Sequence, residues 1–279
     1  MIYDGMRAGA LDYRPCRYGD SRLLLRGPRR RLDDPYVAFL GGSKTYGRFI
    51  QDPFPALVER HLGVNCVNFG FPNAGVDAIA LDPVIPQATA GAKVAVFQLV
   101  GAQNLSNRFY TVHRRRNDRF LKASKLLKSI YHNVDFAEYH FNRHMLNHLR
   151  RVSPEQFAAV RAEVQRVWTV RMRLLLSQFS GKTVLLWFAD QPPPRQADID
   201  DDADVLGPDP LFVTREMVDQ LAPHATRVVT VVSSPDAVVR GTDGMVFAPM
   251  ERPAAQQMRS PLAHAEAAHA ISAALEDIL

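Results

Sequence analysis

The chain is poor in cysteine: its 279 residues contain two, Cys16 and Cys66, far apart and without CxxC or metal-ligand spacing. That excludes a disulfide framework and argues against a cysteine zinc site. No apolar run approaches membrane-spanning length, and the opening MIYDGMRAGALDYRP lacks the continuous apolar core of a signal peptide. A cytoplasmic protein without a membrane span is therefore expected. There is no internal repeat and no HExxH pattern. Asp198, Asp200, Asp201, Asp202 and Asp204 lack the glycine spacing of a calcium loop, which makes them a solvated acidic loop or lid. Charge of neither sign dominates: 34 Lys and Arg against 29 Asp and Glu leave a modest +5.

What is present suits an ordinary globular chain, 47% hydrophobic and 23% charged, long enough for one large domain spanning 1–279. Five short apolar runs read as strands: YVAFL from Tyr36, then Val64 to Phe69, Lys93 to Val100, Thr183 to Phe188 and Arg227 to Val232. Helical stretches are expected at about 53–61, from about 76, and at 214–221 and 264–279. The alternation gives an α/β fold with a five-stranded parallel sheet covered on both faces. A basic N-terminal segment, about 1–35, carries Arg26, Arg29, Arg30 and Arg31 and reads as a solvated turn; no nucleic-acid partner is expected.

Residues of about 108–180 break the alternation as a helical insertion, with helices expected at 120–131, 136–150 and 154–180. The insertion is either a lid or a surface for a homo-oligomer. It holds His113, His132, His140, His144 and His148. His140, His144 and His148 recur every four residues, as metal ligands on one helix face would. No acidic residue joins them, so a polar face is the preferred reading, with no metal or cofactor expected.

The first strand stops at Gly41-Gly42 and delivers Ser43 and Lys44. In open α/β sheets ligands bind beyond the carboxyl ends of the strands, which makes Ser43 a candidate nucleophile as well as a candidate helix cap. The second strand ends in GFPNAGVD, with Gly70, Asn73 and Gly75, and the third in GAQNLSN, with Asn104 and Asn107. These loops converge on one sheet edge and offer donors for an oxyanion. His264, in SPLAHAEAAHAI, is the candidate base, and His269 the alternative. Directly after the Asn104 loop come Arg108, His113, Arg114, Arg115, Arg116 and Arg119, placed to capture a carboxylate, phosphate or sulfate together with Lys44, or else to begin the insertion as a solvated segment.

The order GGS, a Gly/Asn loop, an Asn loop and a histidine near the last helix resembles the SGNH (GDSL-type) hydrolase superfamily over nearly the whole chain. GGSKTYGRF, NFGFPNAGVD and GAQNLSNRFYTVHRRRNDRF also resemble an uncharacterised bacterial family of that kind. The resemblance implies a flavodoxin-like three-layer αβα sandwich, Ser43 as nucleophile, Gly75 (or Gly70) and Asn104 as oxyanion donors, and His264 as general base. It differs at Gly42, where the superfamily has Asp, at the longer Gly101-Ala-Gln-Asn104, and at Pro261, where the acid three before the histidine would stand; Asp190 is the candidate substitute. Two functions follow as expectations. One is a serine hydrolase or acyltransferase acting on an ester of an anionic, carbohydrate- or lipid-linked substrate. The other is a non-hydrolytic relative that binds or modifies an anionic glycan or a sulfated or phosphorylated ligand.

Overall fold

Pro35 and the Gly41-Gly42 pair bracket the first strand, β1 (Tyr36–Leu40), and all five of its residues are buried. Its side chains alternate between two cores: Tyr36, Ala38 and Leu40 enter one, Val37 and Phe39 the other. This is the period-two pattern of a strand covered on both faces. The computed structural model describes residues 10–200 and 205–279, so Asp201, Asp202 and Asp204 lie outside the described residues.

After β1 come α1 (Ser43–Tyr46), α2 (Phe54–Leu62), β2 (Asn65–Asn68), α3 (Val76–Ala80), α4 (Ile85–Ala90) and β3 (Val94–Gln98). A small hairpin, β4 (Tyr110–Val112) and β5 (Phe120–Ala123), precedes α5 (Lys125–Ile130), α6 (Asn142–Val152) and α7 (Pro154–Leu176). Then follow β6 (Lys182–Ala189), α8 (Arg215–Leu221), β7 (Arg227–Val232), α9 (Pro235–Arg240), α10 (Arg252–Ala255) and α11 (Pro261–Glu276). The main sheet is parallel throughout, in the order β2-β1-β3-β6-β7. The chain steps from β1 out to β2 and returns to β3 on the other side of β1, so β1 and β3 flank the topological switch point.

Helices α2, α9 and α11 cover one face and α3, α4, α6, α7 and α8 the other, giving the expected αβα sandwich. Among the described residues no helix is long and apolar enough to cross a membrane.

The expected insertion is less helical than its composition implied. The stretch expected as a helix from Phe120 begins as β5, paired with β4. The helix starts only at Lys125, where Ser124 Oγ accepts the Leu127 N–H at 3.1 Å. Helix α6 starts at Asn142, so His140 precedes it and the three-histidine face does not form; Tyr139 packs instead against His144 and His148. Helix α7 is the crossover between β3 and β6. Phe157, Val160, Val164, Trp168, Met172 and Leu175 bury one stripe of it at three- and four-residue spacing.

The N-terminal segment is also more than a solvated turn. The Arg26 guanidinium is buried and donates to four carbonyls, those of Tyr46 (3.3 Å), Gly47 (2.8 Å), Ile50 (2.9 Å) and Gln51 (2.9 Å). It thereby ties residues 10–35 to the turn that follows Ser43. Replacing it by methionine strands those acceptors. Arg26→Met is expected to lower stability by roughly 2–4 kcal/mol in urea denaturation, while Arg114→Met, at an exposed position, changes it by less than about 0.5 kcal/mol.

Candidate active site

Ser43 opens α1 directly beyond the carboxyl end of β1, beside the switch point. The double glycine lets β3 come close. The Oε1 of Gln98, the last residue of β3, accepts the Gly42 N–H at 3.0 Å and the Thr45 hydroxyl at 3.3 Å, and a Cβ on Gly41 would lie 2.3 Å from Thr45 Oγ1. Gly47, at φ 72°, then ends the four-residue helix in the left-handed conformation.

A chain of side-chain amides builds the rest. Ser43 Oγ accepts the Asn73 N–H at 3.0 Å and donates to Asn73 Oδ1 at 3.3 Å. Asn73 holds φ 58°, a conformation asparagine tolerates better than most residues, and its Nδ2 donates to Asp118 Oδ2 at 3.2 Å. Asn104 Nδ2 reaches the Asn73 carbonyl at 3.4 Å, and its Oδ1 accepts from Asn142 Nδ2 at 3.1 Å. Asn142 Nδ2 also donates to the Asn117 carbonyl at 2.5 Å. Asn117 is fully buried. Its Oδ1 accepts the N–H groups of Gly75 (2.9 Å) and Ala78 (3.2 Å) at the start of α3, while its Nδ2 donates to the carbonyls of His113 and Arg114. Loops after β1, β2 and β3 are thus fixed to one another and to the loop between β4 and β5.

The cleft over Ser43 has a volume of about 320 Å³, near the lower end for small-molecule sites. Its polar lining includes Asn73, Gln98, Gln103, Asn104 and Gln257. The charged lining comprises Lys44, Asp118 and an ion pair of Arg143 with Asp209 at 3.2 Å.

Of the expected catalytic set, Ser43 and Asn104 come together and His264 does not join them. Ser260 caps α11 through its Oγ and Pro261 occupies the first turn, so the helix starts three residues ahead of the histidine. His264 therefore sits one turn inside α11 and faces the sheet, 1% exposed, stacked on Phe54 and edge-on to Phe188. Its Nδ1 accepts the Phe54 N–H at 3.2 Å. The neutral ring then carries its proton on Nε2, and the nitrogen able to take a proton is already engaged. Burial, reinforced by Arg26, Lys44 and Arg259, lowers its pKa to about 3. Among the described residues lining the cleft there is no histidine; from the segment before α11 come Gln257 and Met258. Asp190 pairs with Arg259 Nη1.

Other expected roles change as well. The Gly75 N–H is taken by Asn117 and the Gly70 N–H by Asn68 Oδ1 at 2.8 Å, so neither is free to donate to an oxyanion. Lys44 is buried, with Nζ donating to the Phe188 carbonyl at 2.7 Å, and desolvation lowers its pKa to about 8. Asn107 shapes its own turn by accepting the N–H groups of Phe109 and Tyr110. Arg108 leaves the cleft for the buried carboxylate of Glu163, at 3.4 Å, which Arg166 also holds. His113, Arg115 and Arg116 line a neighbouring pocket.

Sequence reading missed Gln98, Asn117, Asn142 and Gln257. Only Gln98 carried a local signal, as the one polar residue inside VAVFQLV, since a buried polar side chain implies a partner.

The buried imidazole has a consequence for pH. His264 stays neutral in the folded chain down to about pH 3 but titrates near 6.5 when unfolded. Its contribution is therefore complete above about pH 6.5 and is lost as pH falls from there toward 3. Between pH 7 and pH 5 the wild-type chain is expected to lose about 2 kcal/mol more stability than His264→Phe, measured by urea denaturation at each pH.

No curated protein and no solved structure was found to match the chain. A family described as a domain of unknown function (DUF6473) matches residues 1–279. The chain belongs to that family.

Proposed function

We propose that the protein is an SGNH-like binding protein, and that its Ser43 cleft holds the hydroxyl-bearing part of an anionic glycan or a sulfated or phosphorylated ligand. One observation carries this reading: five amide side chains and one serine hydroxyl line the cleft, with no imidazole among them. Amides and hydroxyls both donate and accept, as sugar hydroxyls do, so such a lining pairs with them in either direction. Three of the five amides are supported from behind. Asn73, Asn104 and Gln98 are held by other side chains or by backbone, which limits the ordering cost on binding.

A serine nucleophile needs a base for its proton. Ser43 Oγ instead exchanges hydrogen bonds with Asn73, while His264 lies in the core.

A second reading, a serine hydrolase or acyltransferase, is favoured by Lys44. Lys44 lines the same cleft, and its buried ammonium, which donates to the Phe188 carbonyl, has its pKa lowered to about 8, near enough to neutrality for a lysine base. The two readings separate under a fluorophosphonate probe. The binding reading expects the intact mass of the full chain to be unchanged at any pH, and hydrolysis of a short acyl ester to be the same in wild type and Ser43→Ala. An adduct on Ser43 that grows as pH rises through about 8, together with loss of ester turnover in Ser43→Ala, would establish the lysine-activated hydrolase instead.

A further inference from the structure

Next to the Ser43 cleft lies a second pocket of about 650 Å³ that is walled by arginine. Arg17 and Arg22 reach it from the N-terminal segment, Arg115, Arg116 and Arg119 from the loop between β4 and β5. We propose that this pocket is the oxyanion subsite of the same binding site, taking the phosphate or sulfate group of a phosphorylated or sulfated saccharide whose ring hydroxyls enter the Ser43 cleft. The inference rests on the reading of that cleft as a binding site.

Three observations support the assignment. The first is charge. Five guanidinium groups face one carboxylate, Asp118, which is already hydrogen-bonded by Asn73. Among the described residues Arg17, Arg22, Arg115 and Arg116 form no ion pair, in the pocket or elsewhere. Like charges gathered in one pocket repel, and a bound oxyanion relieves that repulsion while offering two acceptors to each planar guanidinium.

The second is rigidity. Cys16 and Leu25 exchange backbone hydrogen bonds at 3.0 Å in each direction, closing a small hairpin that presents Arg17 and Arg22; Ser21 Oγ ties its tip to Asp82 at 2.9 Å. On the opposite wall His113 Nδ1 accepts the N–H groups of Arg115 and Arg116, both at 3.2 Å, and Asn117 anchors the loop below them. The arginines therefore extend from fixed backbone.

The third is continuity. Asn73 and Asp118 line both cavities. Arg119, in the basic wall, lies 4.0 Å over the Phe141 ring, which lines the Ser43 cleft. A ligand can thus rest its ring against Ser43 and Asn73 while its ester group sits among the arginines. Phe71 and Leu23 give the basic pocket an apolar floor, which suits a group carried on carbon.

The test is isothermal titration of the full chain at low salt, roughly 50 mM, with glucose 6-phosphate, glucose 6-sulfate, glucose and inorganic phosphate. The expected result is binding of both esters and, more weakly, of phosphate. The Arg22→Ala/Arg116→Ala double variant, altered at exposed positions, should weaken all three by about tenfold or more. Gln257→Trp, which narrows the exposed edge of the Ser43 cleft, should weaken the esters and leave phosphate unchanged. Failure of every oxyanion to bind, equal binding by the arginine variant, or glucose binding as well as its esters would overturn the subsite. A single-stranded oligonucleotide that outcompetes the esters would overturn it in favour of a nucleic-acid surface. Arginine-dependent binding with no effect of Gln257→Trp would keep the subsite and overturn the cleft reading on which it rests.

Discussion

The fully buried amide of Asn117 is the constraint on which the functional edge depends. Its oxygen terminates the start of α3 and its nitrogen holds the loop that carries the arginines, so one side chain sets both walls of the site. A buried amide left without partners costs on the order of 1–3 kcal/mol per group, which makes the arrangement all or nothing. Asn142 extends the lock to Asn104, and Asn104 to the Asn73 carbonyl. The serine rests on a scaffold of asparagines tied to one another and to backbone, in which the buried Oδ1 of Asn142 has no partner among the described residues.

That scaffold also explains why a switch-point serine need not imply a nucleophile. The groups that would stabilise an oxyanion or take a proton are engaged in holding the fold. The N–H groups of Gly70 and Gly75 satisfy asparagines, Lys44 closes the end of β6 by donating to Phe188, and His264 supports the first turn of α2 through the Phe54 N–H. What faces the cavity is a set of amides beside Lys44, Asp118 and the Arg143–Asp209 pair. In the proposed binding reading the arrangement of the amides recognises hydroxyl groups and the adjoining arginines hold an oxyanion, without any bond being broken.

The fold was legible because its signals are local. Val37 and Phe39 alternate with Tyr36, Ala38 and Leu40, and short apolar runs, the first three bounded by glycine or proline, mark the five strands. Ser43, Asn73 and Asn104 were legible too, since each ends a strand or follows one closely. The site's supports were not. Asn117 stands inside RRRNDRF and looks like part of a solvated basic run; it is buried only because β4 and β5 pair and bring it against α3. Arg26 resembles its neighbours in RGPRRR, yet it alone finds four carbonyls some twenty residues away. His264 was misplaced for a local reason: Ser260-Pro261 is a helix-start signature, and reading it as such puts the histidine inside α11. The insertion was misread because hairpin pairing across Val112 and Phe120 is a tertiary outcome that short segments do not announce.

The central claim, that Ser43 has no histidine base, can be tested directly at the imidazole. Nitrogen-15 chemical shifts of the His264 ring, followed from about pH 8 to about pH 5, report which nitrogen carries the proton and whether the ring titrates near its ordinary value. The account predicts a neutral ring throughout, protonated on Nε2, with shifts unaffected by Ser43→Ala. A ring that titrates near its ordinary value, and whose shifts move when the Ser43 hydroxyl is removed, would contradict it.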